Sequence, residues 1–94
     1  MSDSNTYNIL ARGLSFALDE AKGVRNKARA AWVVVAEWED VRGPHGTNAE
    51  RAALGDLEDT LQYAADDVEP DSDYEYARAE AVADAAGKWV RKYL

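Results

Sequence analysis

From Tyr7 onward, apolar residues recur at steps of three and four: Leu10, Leu14, Ala17, Leu18, Ala21, Val24, Ala28, Ala31, Trp32 and Val35. On a helical wheel they draw one stripe, the pattern of an amphipathic helix with one face on a core. Gly13 and Gly23 each weaken a helix by about 1 kcal/mol relative to Ala, yet the phase runs through both, so the pattern predicts one long first helix over residues 5–41. Such a helix would measure roughly 55 Å. Its segment Ala30 to Trp38, AAWVVVAEW, is apolar nearly all round, which predicts cover on more than one side, from other helices or from a second copy of the chain. Three consecutive valines also fit a buried strand, but the Ala-rich flanks and unbroken helical phase weigh against it.

The stretch RGPHGT (Arg42 to Thr47) reads as a turn, and Thr47 with Glu50 three residues later has the form of a capping box. A second helix is expected over residues 48–68, with Ala53, Leu57, Leu61, Ala64 and Val68 inward. The sequence EPDS breaks it, Ser72 and Glu75 repeat the capping-box form, and a third helix is expected over residues 73–93, burying Tyr74, Ala81, Val82, Ala85, Trp89 and Tyr93. With 18 alanines and two prolines, both in connections, the expected fold is all-α: one domain spanning residues 1–94, a small antiparallel three-helix bundle with a long first helix. Trp32 and Trp89 are expected to carry much of the core energy, and truncation of either to cost about 3–5 kcal/mol.

Charge changes the picture more than composition does. The net charge is −7 over 94 residues. Residues 1–47 hold six acids and six bases, whereas residues 48–94 hold twelve acids and five bases, so the whole excess lies in the second half. Between Arg51 and Arg78 stand nine Asp and Glu residues and no Lys or Arg. Asp56, Asp59, Asp66 and Asp67 are expected on the outer face of the second helix. Asp66, Asp67 and Glu69 gather at its C-terminal end, where the macrodipole disfavours each acid by about 0.3–1 kcal/mol. Asp71, Asp73 and Glu75, at a helix start, are explained by the same dipole. Tyr63 lies among the outward acids, a composition closer to a contact hot spot than to an inert surface. Solvation alone would also account for an acidic outer face, and Lys22, Arg25, Lys27, Arg29, Lys88, Arg91 and Lys92 offer cross-bundle pairing worth about 0–1 kcal/mol each.

Several chemistries are set aside by the residues themselves. There is no Cys and one His, so neither disulfides nor thiolate or multi-histidine metal sites are expected, and His45 reads as a solvated turn residue. Asp67, Glu69 and Asp71 mimic the first positions of a calcium loop, but Ser72 replaces the required Gly and Arg78 the terminal Glu. No nucleophile elbow, phosphate loop or cofactor motif occurs. The overall negative charge opposes direct nucleic-acid binding, and with no apolar run near 18 residues and no export-type N-terminus the chain reads as cytoplasmic, off the membrane.

The expected function is therefore non-enzymatic, without cofactor or metal: a binding module that docks Asp56, Asp59, Tyr63, Asp66, Asp67 and Glu69 on a basic protein surface. A sharper form makes the partner a nucleic-acid-binding protein, such as a nuclease, whose groove these carboxylates occupy. In size and charge, without a shared motif, the chain is similar to small acidic bacteriophage proteins that block restriction or CRISPR enzymes. The alternative is a structural, self-associating protein that uses Trp32, Val33, Val34 and Trp38 as a homodimer interface.

Overall fold

A computed structural model of the chain describes residues 2–94, with side chains from residue 5 onward. It is all-helical among these residues, and four helices are present where three were expected: α1 (Ser2–Glu20), α2 (Val24–Arg42), α3 (Asn48–Asp66) and α4 (Tyr74–Tyr93).

The expected first helix is cut at Gly23. Its φ of +88° with ψ of 157° lies in a region that only glycine enters without strain. The Gly23 carbonyl then accepts from the Lys27 amide, 3.0 Å, and starts α2. Carbonyls of the last turn of α1 and of the connection are taken up locally: the Lys27 ammonium donates to Leu18 O at 2.6 Å and Asn26 Nδ2 to Lys22 O at 2.8 Å. A continuous helix of roughly 55 Å would exceed the 44 Å long axis of the molecule. Folding back lets Leu10 and Leu14 share one core with Ala28, Ala31 and Val35. The apolar phase survives the break because both halves of the hairpin face that same core.

Helices α1 and α3 run one way and α2 and α4 the other. Asn8 near the start of α1 donates to Tyr93 O at the end of α4, 3.1 Å, and Asp56 on α3 meets Trp89 on α4. The end holding residues 5–10, 38–51 and 86–94 is called the lower end here, and the end holding residues 18–28 and 63–76 the upper. Helix α4 packs heavily on both α2 and α3, while α2 and α3 touch least.

Leu10, Leu14, Leu57 and Leu61 are the largest fully enclosed side chains, with Ala11, Ala31, Ala53 and Ala86 between them. These alanines let the helix axes approach closely. On α3 the buried set is Ala53, Leu54, Leu57, Leu61 and Ala65, so Ala64 and Val68 are only half-covered. On α4 it is Val82, Ala86, Trp89 and Val90, one position later than the expected Ala81 and Ala85. Trp32 is half-buried, so Trp89 alone of the two expected tryptophan anchors is enclosed.

The Thr47–Glu50 capping box forms as expected: Glu50 N donates to Thr47 Oγ1 at 3.1 Å and Thr47 N to Glu50 Oε1 at 2.8 Å. The second expected box does not form. Asp71 Oδ1 accepts from the Asp73 amide at 2.9 Å, an Asx turn that places Asp73 at the N-cap and starts α4 at Tyr74. No helix is long and apolar enough to cross a membrane among the described residues.

Candidate protein-docking surface

Asp56 does not belong to the outer acidic face where the sequence placed it. It is half-buried, and its Oδ2 accepts from Trp89 Nε1 at 2.9 Å and from Tyr93 OH at 3.4 Å. The rings around it form a cluster: Tyr7 and Tyr93 centroids lie 4.6 Å apart, and Trp89 and Tyr93 4.7 Å. An indole N–H buried against α3 needs an acceptor, and Asp56 supplies it. Its carboxylate serves the fold.

The remaining acids behave differently. Asp59, Asp66, Asp67 and Glu69 are exposed, and Tyr63, 73% exposed, borders a shallow depression with Ala64, Asp66 and Asp67. Helix geometry brings Asp59, Tyr63, Asp66 and Asp67 together, at spacings of three and four on one face of α3. Asp66 accepts from Gln62 Nε2 at 3.0 Å, and the Asp67 amide closes the helix on Tyr63 O at 3.0 Å. Glu69 follows in the connection to α4.

The ion pairs among the described residues are Arg42–Glu50 and Lys88–Asp84. Neither involves an acid between 59 and 75. At the upper end the arginines stack on rings instead: Arg25 lies 5.5 Å from the Tyr76 centroid and Arg78 6.0 Å from that of Tyr74. Lys27 is engaged with Leu18 O. Among the described residues the cross-bundle pairing weighed from the sequence is not formed, and no acid of this cluster has an ion-pair partner.

Two glutamates outside this surface have shifted pKa values. Glu50 is held below the usual carboxylate range, first by the Thr47 amide and then by the Arg42 guanidinium. Glu58 is pushed up, first by burial and then by the neighbouring negative charge of Glu39 on α2. No group of three His, Cys, Asp or Glu residues suited to hold a metal ion occurs among the described residues.

The AAWVVVAEW segment divides between surfaces. Trp32 borders a cleft against α4 with Tyr74 and Arg78, Val33 is exposed, and Val34 and Trp38 line a groove against α1 with Phe16 and Val41. Sequence reasoning missed that groove. The signal was present in Ile9, Phe16 and Val41, three large apolar residues lying off the helical stripe.

These features define the chain as a compact all-α protein with an acidic, aromatic-centred helix face at one end. Comparison with protein families, curated proteins and solved structures finds no match to this chain.

Proposed function

We propose that the chain is a non-enzymatic binding module whose α3 face, with Asp59, Tyr63, Asp66, Asp67 and Glu69, docks on a basic surface of another protein. The observation that carries this reading is the absence of any ion pair to an acid between 59 and 75 among the described residues, beside arginines that stack on rings at the same end. Asp66 and Asp67 close α3 at the negative end of its dipole, an arrangement that lowers the chain's own stability by about 0.3–1 kcal/mol per acid. An external cation would remove that cost. Opposite fields would speed the encounter, and the ring of Tyr63 would supply apolar contact area at its centre. In the finer form of the proposal the basic surface is the nucleic-acid-binding groove of a nuclease or similar protein, which the carboxylates occupy in place of phosphates.

Capture from the source cells tests this directly. The wild-type chain is expected to retain a protein at low salt and release it as salt rises, and Asp66→Asn with Asp67→Asn, or Tyr63→Ala, to lose it. Equal retention by those variants would remove the α3 face from the proposal. Retention of a nucleic-acid-binding protein, with competition by its own nucleic acid, would support the finer form.

A further inference from the structure

The acidic face leaves a contrasting surface unexplained, the apolar groove between α1 and α2. Leu10, Gly13 and Ala17 line it from α1 and Val34 and Trp38 from α2, with Phe16 and Val41 beside them, around a volume of about 320 Å³. Phe16 is 68% and Val41 61% exposed. Ile9, 47% exposed, continues the apolar surface past Trp38 and Arg42. Scattered apolar residues on a surface are ordinary, but contiguous ones around a groove mark a contact site. Gly13 adds a second feature. A Cβ built there meets nothing within 4 Å, so no neighbour within the chain requires glycine, and alanine would favour the helix by about 1 kcal/mol. Gly13 thus leaves the α1 side of the groove bare, with room for a side chain seated on it.

Charge selects the occupant. A chain of net −7 repels its own copies through most orientations, yet that excess lies wholly in residues 48–94, while residues 1–47, which carry α1 and α2, balance six acids against six bases. The α1–α2 face is thus where a second copy can approach with least repulsion. A strongly basic partner has more to gain at α3. The edges of the groove are self-complementary: Arg12, exposed beside Gly13, and Glu37, on the lining of the groove, have no ion-pair partner among the described residues.

We infer that two copies of the chain pair about a two-fold axis through the α1–α2 groove, Phe16 of each entering the groove of the other over Gly13, with Arg12 of each facing Glu37 of the other. Of the sequence-derived interface, Val34 and Trp38 belong to this contact and Trp32 and Val33 stand outside it. The pairing leaves both α3 faces free, so it is independent of the acidic docking surface.

The test is the mass in solution by sedimentation velocity and light scattering over a range of concentrations. The wild type is expected at twice 10.3 kDa. Phe16→Glu and Val41→Glu, both at exposed positions, are expected to give the single-chain mass with unchanged helical circular dichroism, whereas Asp66→Asn with Asp67→Asn leaves the pair intact. Arg12→Glu should weaken the pair, and the exchange Arg12→Glu with Glu37→Arg should restore it. A single-chain mass for the wild type at every concentration overturns the inference, whatever else the groove binds. So does a pair that survives Phe16→Glu, one broken only by Val33→Glu, or an assembly larger than two. Failure of the exchange to restore pairing overturns the two-fold register.

Discussion

The two ends of the molecule use the same residue types to opposite effect. At the lower end Asp56 is bonded to Trp89 and Tyr93, Glu50 to Thr47 and Arg42, and Trp38 Nε1 donates to Glu50 O at 3.4 Å while Arg42 lies 4.8 Å from its ring centroid. At the upper end Tyr63 is open to solvent and Asp66, Asp67 and Glu69 are exposed. Aromatic rings and carboxylates that meet inside a fold satisfy one another. Left apart on a surface, they retain both charge and apolar area for another molecule.

That contrast can be broken by substitution. The largest effect is expected from Trp89→Ala, which empties the ring cluster and strands Asp56; loss of about 3–5 kcal/mol should abolish a cooperative melt, and an unchanged melting temperature would refute the packing of the lower end. Next comes Asp56→Ala, which leaves the Trp89 N–H without its acceptor and is expected to cost about 1–3 kcal/mol in denaturant unfolding. Asp59→Ala, one helical step away in sequence but exposed, should stay within about 0.5 kcal/mol. Equal losses at the two positions would erase the distinction.

At the upper end the sign reverses. Asp66→Asn with Asp67→Asn relieves the dipole mismatch and is expected to raise stability by about 0.3–1 kcal/mol per site, read as a higher unfolding midpoint, even as partner capture fails. A lower midpoint would mean that these acids serve the fold after all.

The smallest effect is a pH dependence that separates two glutamates. Glu58 binds its proton more tightly in the folded state, so its ionised form subtracts stability at neutral pH, and the penalty is relieved as pH falls through its raised pKa. Glu58→Gln should therefore melt higher than wild type near pH 7, with the difference closing toward acid pH. Glu50, with its pKa lowered, contributes stability at neutral pH that is lost as pH falls, so Glu50→Gln should melt lower at pH 7 and converge on wild type at acid pH. Parallel pH curves for the two variants would contradict both environments.

Much of the fold was legible in the sequence, and the errors have physical causes. Periodicity identified helices throughout, and the Thr47–Glu50 box marked the start of α3 because a side chain three residues on leaves little choice. The break at Gly23 was hidden because a hairpin can keep its apolar phase across a turn. Phase reports which face is buried, and it is blind to a reversal of direction. The displaced start of α4 has a local cause: Asp71 Oδ1 holds the Asp73 amide in an Asx turn, which puts Asp73 rather than Ser72 at the N-cap. Asp56 was misplaced because a wheel assigns carboxylates outward, and only the fold reveals that an indole from α4 reaches it. Tyr63 and the acids near it lay where their spacing put them, since an exposed helix face depends on little besides its own helix. The α1–α2 groove depends on the reversal at Gly23, and without that reversal Phe16 and Val41 could not be seen to meet.

The bond from Asn8 to the Tyr93 carbonyl sets the first turns of α1 beside the last turn of α4. A dye or tether attached on the last turn of α4 therefore sits at the pole remote from Tyr63 and leaves the carboxylate face unobstructed in immobilised assays.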